Sequence, residues 1–542
     1  MQEDIPTVKP SDKPQETELK LTLPAPDAQL TVVQKLEQGG WVADKPVAIR
    51  NEDIYLDTYD WLLMKNKLSL RYRMQNGKTM YTLKSLGEFT RGIAQRTEIE
   101  TIVDEPVETP AEIPVKRIRE EVGTLIFPRR LVELARVRTN RLEYPLVSPG
   151  GAKINLAFDT STFSREQRPR VRCQKKLYEL EAELREGPVD ALVSLRKMLT
   201  GTFHFVPSRE SKLQSAVDFL NLAPLIRKAI KEFTVGLDDS VELALWKIIS
   251  AEFRWFQEQL PGVVDDIDPE FVHQARVTTR RMRSAIKVFS GAAPESTSNF
   301  LADELKWLAA LFGDVRDIDV FIINLRRLKE KIDYFPTKTK KALERAIEKE
   351  RQKPLKALTD ALASPRYRKL ERLIRQYLNH PPAAVLVAAN GVTTIRQFAP
   401  QVIGDDFKAV LARGGAVIAK PRMKQFHLLR IQMKKLRYAT EFMAPAYGDG
   451  LGPFIKSTVE IQDTLGELQD TVFTREFCMR LIEDWRGKLV DSELLFALGE
   501  IYQFQAEIAR ERRETFSGIW ERFSCDETAG QLAGVFEISR PQ

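Results

Sequence analysis

The stretch LSLRYRMQNGKTMYTLKSL (residues 68–86) decides the fold of the first half of this chain. Leu68, Leu70, Tyr72 and Met74 alternate with Ser69, Arg71 and Arg73. After Asn76-Gly77, Met80 and Leu83 sit among Thr79, Thr82 and Lys84. A period of two places one residue set on each face of a strand, and Asn-Gly between two such runs is the strongest short hairpin signal. The pattern extends outward over about residues 17–222. Glu16, Glu18 and Lys20 alternate with Thr17, Leu19 and Leu21; Arg96, Glu98 and Glu100 with Thr97, Ile99 and Thr101; Glu179, Glu181 and Glu183 with Leu180, Ala182 and Leu184. The fold class expected is α+β in two domains, the first built of antiparallel β-strands.

The polar face of these strands is a repeated set of carboxylates and guanidinium or ammonium groups. Cross-strand ion pairs on a solvated face would explain any single strand. Four such strands instead suggest an inward charged face. Buried charge is costly unless it holds ions. Carboxylate oxygens suit Mg²⁺ or Mn²⁺, and Arg and Lys suit phosphate oxygens.

The period changes to 3.6 from about Asp239 onward, and the chain repeats itself. His273 is followed by basic residues at +3, +7 and +10: Arg276, Arg280 and Arg283. His427 is followed at the same spacings by Arg430, Lys434 and Arg437. Downstream, Gly313-Asp-Val-Arg-Asp317 recurs as Gly466-Glu-Leu-Gln-Asp470. Residues i, i+3, i+7 and i+10 share one helical face. No acid lies between Phe271 and Pro294, or between Asp406 and Glu441. Two unpaired basic stripes facing one cleft would trap an anion, with Asp317 and Asp470 orienting the cations. An all-α bundle of two halves, at about 236–375 and 376–525, related by a pseudo-two-fold is expected. Arg326–Arg375 is rich in Lys and Arg; it extends the track or is a solvated face.

The chain has 542 residues, 43% of them hydrophobic and 29% charged, with a net charge of +7. That is ordinary for a protein with a core, and disorder throughout is excluded. No apolar run of about 18 residues occurs, so no membrane span is expected. The polar N-terminus shows no secretory signal. Cys173, Cys478 and Cys525 lie far apart, against a disulfide framework or a cysteine zinc site. A reducing, cytoplasmic location is expected. Residues 1–13 read as a disordered tail, 14–222 as the first domain, 223–235 as a linker, 236–525 as the helical domain and 526–542 as a second tail.

In the first half, Glu16-Thr17-Glu18-Leu19-Lys20 matches the ExExK signature of the CYTH superfamily, the triphosphate tunnel metalloenzymes. In family order follow Tyr55-Leu56-Asp57-Thr58, Leu70-Arg71-Tyr72-Arg73, Lys84, Arg96, Arg138 and Arg141, Asp159, Tyr178-Glu179-Leu180-Glu181 and Ser211-Lys212. Two departures are Thr160-Ser161 after Asp159 and Leu-Gln after Lys212. The resemblance implies an eight-stranded antiparallel β barrel or tunnel in which Glu16, Glu18, Asp159, Glu179 and Glu181 hold Mg²⁺ (or Mn²⁺). Lys20, Arg71, Arg73, Lys84, Arg96, Arg138 and Lys212 would grip triphosphate, and Glu16, Glu18 and Lys20 would be catalytic. The reaction implied is hydrolysis of inorganic triphosphate to pyrophosphate and phosphate.

The second half resembles the CHAD domain over roughly 236–525, through the two His-led stripes and Leu436-Arg437-Tyr438. Gln469 departs from it where the first repeat has Arg316. The resemblance implies polyphosphate binding by His273, Arg276, Arg280, Arg283, His427, Arg430, Lys434 and Arg437, and association with polyphosphate granules. Protonation of His273 and His427 beside phosphate would strengthen binding at lower pH. The competing readings are a non-catalytic polyphosphate scaffold, a thiamine triphosphatase or adenylyl cyclase, and a nucleic-acid binder. The last is disfavoured because no RRM, KH or helix-turn-helix signature is present.

Overall fold

The computed structural model describes residues 15–75, 78–86, 93–103, 118, 122–123, 125–166, 170–208, 210–224, 234–328, 337–382, 393–486 and 491–538. The chain divides into two compact units, Met1–Arg227 and Lys228–Gln542. The expected N-terminal tail and the Asn76-Gly77 turn lie outside the described residues.

The first unit is an eleven-stranded antiparallel sheet. Its strands are β1 (Gln15–Thr22), β2 (Val42–Ala43), β3 (Val47–Asp57), β4 (Leu68–Gln75), β5 (Lys78–Ser85), β6 (Ile93–Val103), β7 (Val132–Val147), β8 (Lys153–Arg165), β9 (Val171–Arg172), β10 (Leu177–Glu186) and β11 (Val206–Pro207). Following the ladders from β3 through β4, β5, β6, β1, β10 and β8 leads to β7, which pairs back with β3. The short strands β2, β9 and β11 add to β7, β8 and β1.

The alternation read in the sequence has a definite sense. The apolar set packs against helices. Leu19, Leu21, Leu156 and Leu180 bury against Val32 and Leu36 of α1 (Gln29–Gln38) and Leu192, Leu195 and Leu199 of α3 (Asp190–Phe203). Ile54, Leu70, Tyr81 and Leu83 bury with Leu63 of α2 (Leu62–Lys65). The opposite set is charged and lines a cavity. One end of that cavity meets α4 (Lys212–Phe219), where Leu213, Ala216 and Val217 pack with Tyr55, Val137 and Phe163. Asp57 serves local structure: its carboxylate accepts from the Thr58, Leu63 and Met64 amides at 2.7, 2.9 and 2.9 Å.

The second unit is helical: α5 (Val241–Val264), α6 (Pro269–Val288), α7 (Glu295–Leu328), α8 (Thr337–Ala363), α9 (Pro365–Leu378), α10 (Ile395–Ala419), α11 (Met423–Met443), α12 (Gly452–Trp485), α13 (Ser492–Phe523) and α14 (Asp526–Ile538). Starts are capped by side chains that accept otherwise unpaired amides. Ser240 accepts from the Leu243 amide, and Asp268 from the Glu270 amide one residue before Pro269. α6 packs on α5 and α7, α11 on α10 and α12, and α6 and α11 pack on each other. Close approach is achieved with glycine. A Cβ at Gly262 would lie 2.1 Å from the Phe271 ring, and one at Gly414 only 1.9 Å from Trp520.

Arg281 of α6 ties the bundle together. It donates to Glu252 of α5 at 2.5 Å and to Glu441 of α11, and lies over the Phe442 ring at 4.9 Å. The C-terminal stretch expected as a tail is corrected by the structure, because Asp526–Ile538 is helical. Phe536 packs edge-on to Tyr447 at 5.4 Å, and Leu532 is buried. No described helix is long and apolar enough to cross a membrane.

Candidate functional site

Cross-strand register assembles the first site. Antiparallel pairing sets Glu18 opposite Glu183, Lys20 opposite Glu181, Asp159 opposite Glu179, Arg141 opposite Asp159, Asp53 opposite Arg73 and Lys84 opposite Glu98. Four of these pairs set opposite charges against each other and two set carboxylate against carboxylate, and the inward positions surround one cavity of about 270 Å³. That is near the lower bound for small-molecule sites, roughly 300 Å³, and suits a compact ligand. Glu18, Lys20, Arg71, Arg73, Lys84, Asp159, Glu181 and Lys212 all line it.

Its centre is an ion cluster. Lys212, the first residue of α4, places Nζ 2.8 Å from Asp159 and 2.6 Å from Glu181, with Glu179 at 3.5 Å. Lys20 Nζ lies 2.8 Å from Glu181 and 3.8 Å from Glu179. Arg141 donates to both oxygens of Asp159, at 2.9 and 2.8 Å, and to Glu181. Burial opposes charge at each group, but the partners outweigh it. Burial would raise Glu181, yet Lys20, Lys212 and Arg141 hold it well below the usual carboxylate range. Burial would lower Lys212, yet Asp159, Glu181 and Glu179 hold it well above the usual lysine value. Glu179 differs: burial pushes it up against the pull of Lys20 and Lys212, and neither of its oxygens accepts a hydrogen bond.

A second group lies on β3 and β4. Buried Asp53 accepts from Arg73 at 2.7 and 2.9 Å and from Arg71 at 3.2 Å. Burial alone would raise its carboxyl; Arg71 and Arg73 hold it below the ordinary value. Lys84 pairs with Glu98 at 3.0 Å.

Two expected residues cannot be followed to their tips. Glu16 and Arg96 are paired in register across β1 and β6, and their side chains lie outside the described residues. Arg138 is corrected. It sits on the opposite face of β7 from Thr139 and Arg141, mostly exposed, with Glu52 at 3.0 Å. Arg141 occupies the cavity instead. Both arginines were visible in the sequence; the parity of β7 selects between them. Asp53 was missed, because alternation alone does not distinguish it from a surface aspartate. The oxygen-rich donor set of Glu18, Glu179 and its neighbours suits Mg²⁺ or Mn²⁺ by chemistry. Among the described residues no three His, Cys, Asp or Glu side chains are grouped to hold a metal ion, and Lys20 and Lys212 pair with the carboxylates.

The helical unit carries a different arrangement. His273 and His427 are each the fifth residue of their helices, α6 and α11, which pack together. Charges from both stripes act on each other. Lys434 is pushed down to about 6 by burial and by Arg280, Arg430 and Arg276. Arg276 is lowered by burial and Arg280, Arg430 by burial and Arg280 despite Asp470, and Arg283 by burial and Arg280. Asp317 and Asp470 are raised by burial, and Asp317 reaches Arg276 only at 3.7 Å. Arg437 is largely engaged, donating to Glu441 at 2.5 Å and Gln462 at 3.0 Å. Burial, Arg316, Arg280 and Arg276 push His273 down to about 3. In the free protein, burial and these three guanidinium groups oppose a further cation at His273.

Comparison with known proteins places these two sites. Residues 14–203 match the model of the CYTH domain, and residues 247–478 that of the CHAD domain. An uncharacterized protein of Mycobacterium tuberculosis, recorded from two strains, is 27% identical over 245 residues, 45% of this chain and 46% of that protein. The chain thus spans about half the length of the curated relatives it matches. Among solved structures, the CHAD domain from the plant Ricinus communis is similar, with 25% identity and a TM-score of 0.43, over 53% of this chain and 96% of that one. A Hippeastrum protein, a candidate adenylyl cyclase with a dominant triphosphatase activity, is 22% identical with a TM-score of 0.30, over 39% of this chain and all of that one.

Proposed function

Because this chain belongs to the CYTH family over residues 14–203 and to the CHAD family over residues 247–478, we propose that its strand unit is a triphosphate tunnel hydrolase and its helical unit a polyphosphate-binding domain. The observation that carries the first part is the cavity lining. Lys20, Arg71, Arg73, Lys84, Arg141 and Lys212 surround it together with Glu18, Asp159 and Glu181, and Tyr55 is the one aromatic among the described lining residues. With Arg185 these make seven lining cations, which suit a compact polyanion, and a lining with a single aromatic favours inorganic triphosphate over ATP or thiamine triphosphate.

In this reading the eight strands whose ladders return on themselves form the tunnel wall. Arg71 and Arg73, held by Asp53, bind phosphate oxygens at one side, and Lys20, Arg141 and Lys212 bind them at the other. Each cation leaves part of its carboxylate contact for a phosphate oxygen. Water attacks the terminal phosphorus in line, the bridging P–O bond breaks, and pyrophosphate leaves with charge spread over oxygens facing these cations. Glu16, Glu18 and Glu179, with Asp159 and Glu181, would hold Mg²⁺ or Mn²⁺, which supplies charge neutralisation along the phosphate chain.

For the helical unit, the crowding of Arg276, Arg280, Arg430 and Lys434 across two packed helices supports an anion site. A linear phosphate chain would relieve their mutual repulsion. The two halves of this unit would stand in pseudo-two-fold relation.

The test is phosphate release with Mg²⁺ or Mn²⁺ from inorganic triphosphate, ATP, thiamine triphosphate and long polyphosphate, for wild type and Glu18→Gln. Fast release from triphosphate that collapses in the variant is expected. No release from any substrate, with polyphosphate still bound, would replace the enzyme by a scaffold.

A further inference from the structure

Two helices at matching places in the duplicated unit carry opposite charge. α8 follows α7, which holds the Gly313 segment, and α13 follows α12, which holds its Gly466 copy. On α8, Lys338, Lys341, Arg345, Lys349, Lys353 and Lys356 recur every three or four residues, and all are exposed. They share one face, opposite the buried Leu343, Ile347, Leu355 and Leu358. Among the described residues, Lys356 alone of these six has a carboxylate partner, Asp360 at 2.8 Å. Glu348, beside this face, lies 3.7 Å from the buried Arg351.

On α13, Glu493, Glu500, Glu507, Glu511 and Glu514 recur along one face, opposite the buried Leu498, Ile501, Gln505 and Ala509. Glu511 meets Arg512 only at 3.9 Å, and Glu500, Glu507 and Glu514 have no ion pair among the described residues. Like charges three or four residues apart on a helix repel. Each face is therefore unfavourable alone and stabilising only against the other sign.

The two faces look into solvent side by side. The first turns of α8 and α13 touch: Thr339 donates to Glu493 at 2.5 Å, and Leu343 and Ile347 share a cluster with Ala497, Leu498 and Ile501. Apolar groups lie beside them. Phe496 is 61% exposed on the glutamate face, and Met479 of the adjoining α12 is 54% exposed. Exposed apolar groups rimmed by charge mark association surfaces.

We propose that this chain pairs with a second copy of itself through this surface. The lysine face of α8 in each copy lies against the glutamate face of α13 in the other, with Phe496 enclosed between them. A two-fold axis makes both contacts at once, as an isologous interface requires. The rows match in length: residues 338–356 span about 27 Å and residues 493–514 about 32 Å. Strips of that length and roughly 10 Å width cover about 600 Å² per copy, below the ~800 Å² of a standard interface. The pairing is therefore expected in the micromolar range and sensitive to salt. A polyanion lying on α8 alone would leave the glutamate face and Phe496 without a role, which favours the second copy.

Sedimentation equilibrium of the full-length chain, with no phosphate ligand present, tests this. A dimer is expected across the micromolar range at low salt, with association at least about tenfold weaker when salt rises to about 0.5 M. Arg345→Glu with Lys349→Glu, and separately Glu507→Lys with Glu511→Lys, are each expected to give monomers of unchanged helix content by circular dichroism. Mixing the two variants is expected to restore a dimer, because each reversed face then meets its complement. A folding defect would not be repaired by mixing. Phe496→Ser is expected to weaken pairing at any salt.

A wild type that is monomeric at every concentration, a dimer indifferent to either reversal, or a mixture that stays monomeric would each overturn the proposal. Monomers that bind long-chain polyphosphate through α8, with binding lost in the α8 variant and kept in the α13 variant, would replace the second copy with a polyanion. None of these outcomes depends on triphosphate hydrolysis, so the functional reading is tested separately.

Discussion

The cavity of the strand unit and the basic patch of the helical unit are both proposed here as phosphate sites, and their electrostatics are opposite. In the cavity every described cation stands beside a carboxylate, so Lys20, Lys212 and Arg141 are raised and Glu181 is lowered. In the patch, burial and an excess of cations over acids lower His273, Arg276, Arg430 and Lys434. The cavity is a paired network, with the Glu179 oxygens left over, that must exchange partners to take a ligand. The patch is frustrated until an anion arrives. The difference follows from construction. Cross-strand neighbours from eight strands can interleave signs, whereas one helical face repeats the sign written into its own sequence.

The largest expected effect breaks the paired network. Lys212→Met leaves Asp159 and Glu181 short of a buried cation. Removing one partner of such a pair costs about 3–5 kcal/mol, so denaturant unfolding of the strand unit should move to clearly lower midpoint, with phosphate release lost. A variant as stable and active as wild type would show that the cluster is not a coupled network.

Next is the contrast between two arginines on one strand. Arg141→Ala should lower turnover by about 10²-fold or more, as expected for a group that meets developing charge. Arg138→Ala should change stability by less than about 1 kcal/mol, the value of an exposed pair, and leave turnover near wild type. Equal effects would mean that β7 presents the opposite face to the ligand.

The third prediction tests frustration. Lys434→Met should raise the stability of the ligand-free helical unit by about 1 kcal/mol while weakening polyphosphate binding. The sign for pH follows from Lys434 near 6 in the folded state against about 10.4 unfolded. The unfolded chain binds the extra proton between these values, so ligand-free stability falls as pH drops from about 10 to 6. A bound anion raises Lys434, so polyphosphate affinity should be greatest near pH 6 and weaken by up to about tenfold per pH unit above it. Calorimetric titration at pH 6, 7 and 8 checks this, and Lys434→Met should flatten the profile.

The smallest effect concerns salt. Log affinity for polyphosphate should fall linearly with log salt concentration, and Arg276→Ala or Arg430→Ala should each reduce the slope by about one. Arg437→Ala should reduce it less, because Glu441 and Gln462 already hold that guanidinium.

Much of this molecule was legible without coordinates. Period two over residues 68–86 announces strands, and period 3.6 after Asp239 announces helices, because side-chain direction follows backbone geometry locally. The charged identity of the inward face and the duplication of His273 and His427 are local patterns as well. What the alternation left open is which face turns inward. That was decided by α1, α2 and α3 covering the apolar set, which confines Glu18, Lys20 and Glu181 to the cavity. The choice of Arg141 over Arg138 and the bridging of Arg71 and Arg73 by Asp53 rest on strand register, which joins residues far apart in sequence. The lowering of His273 likewise comes from burial in the bundle and from Arg316 on another helix. The sequence by itself determined the elements and the charges they carry. Only the tertiary structure decided which charges meet, because electrostatic energy depends on distance and burial, and neither is a property of sequence position.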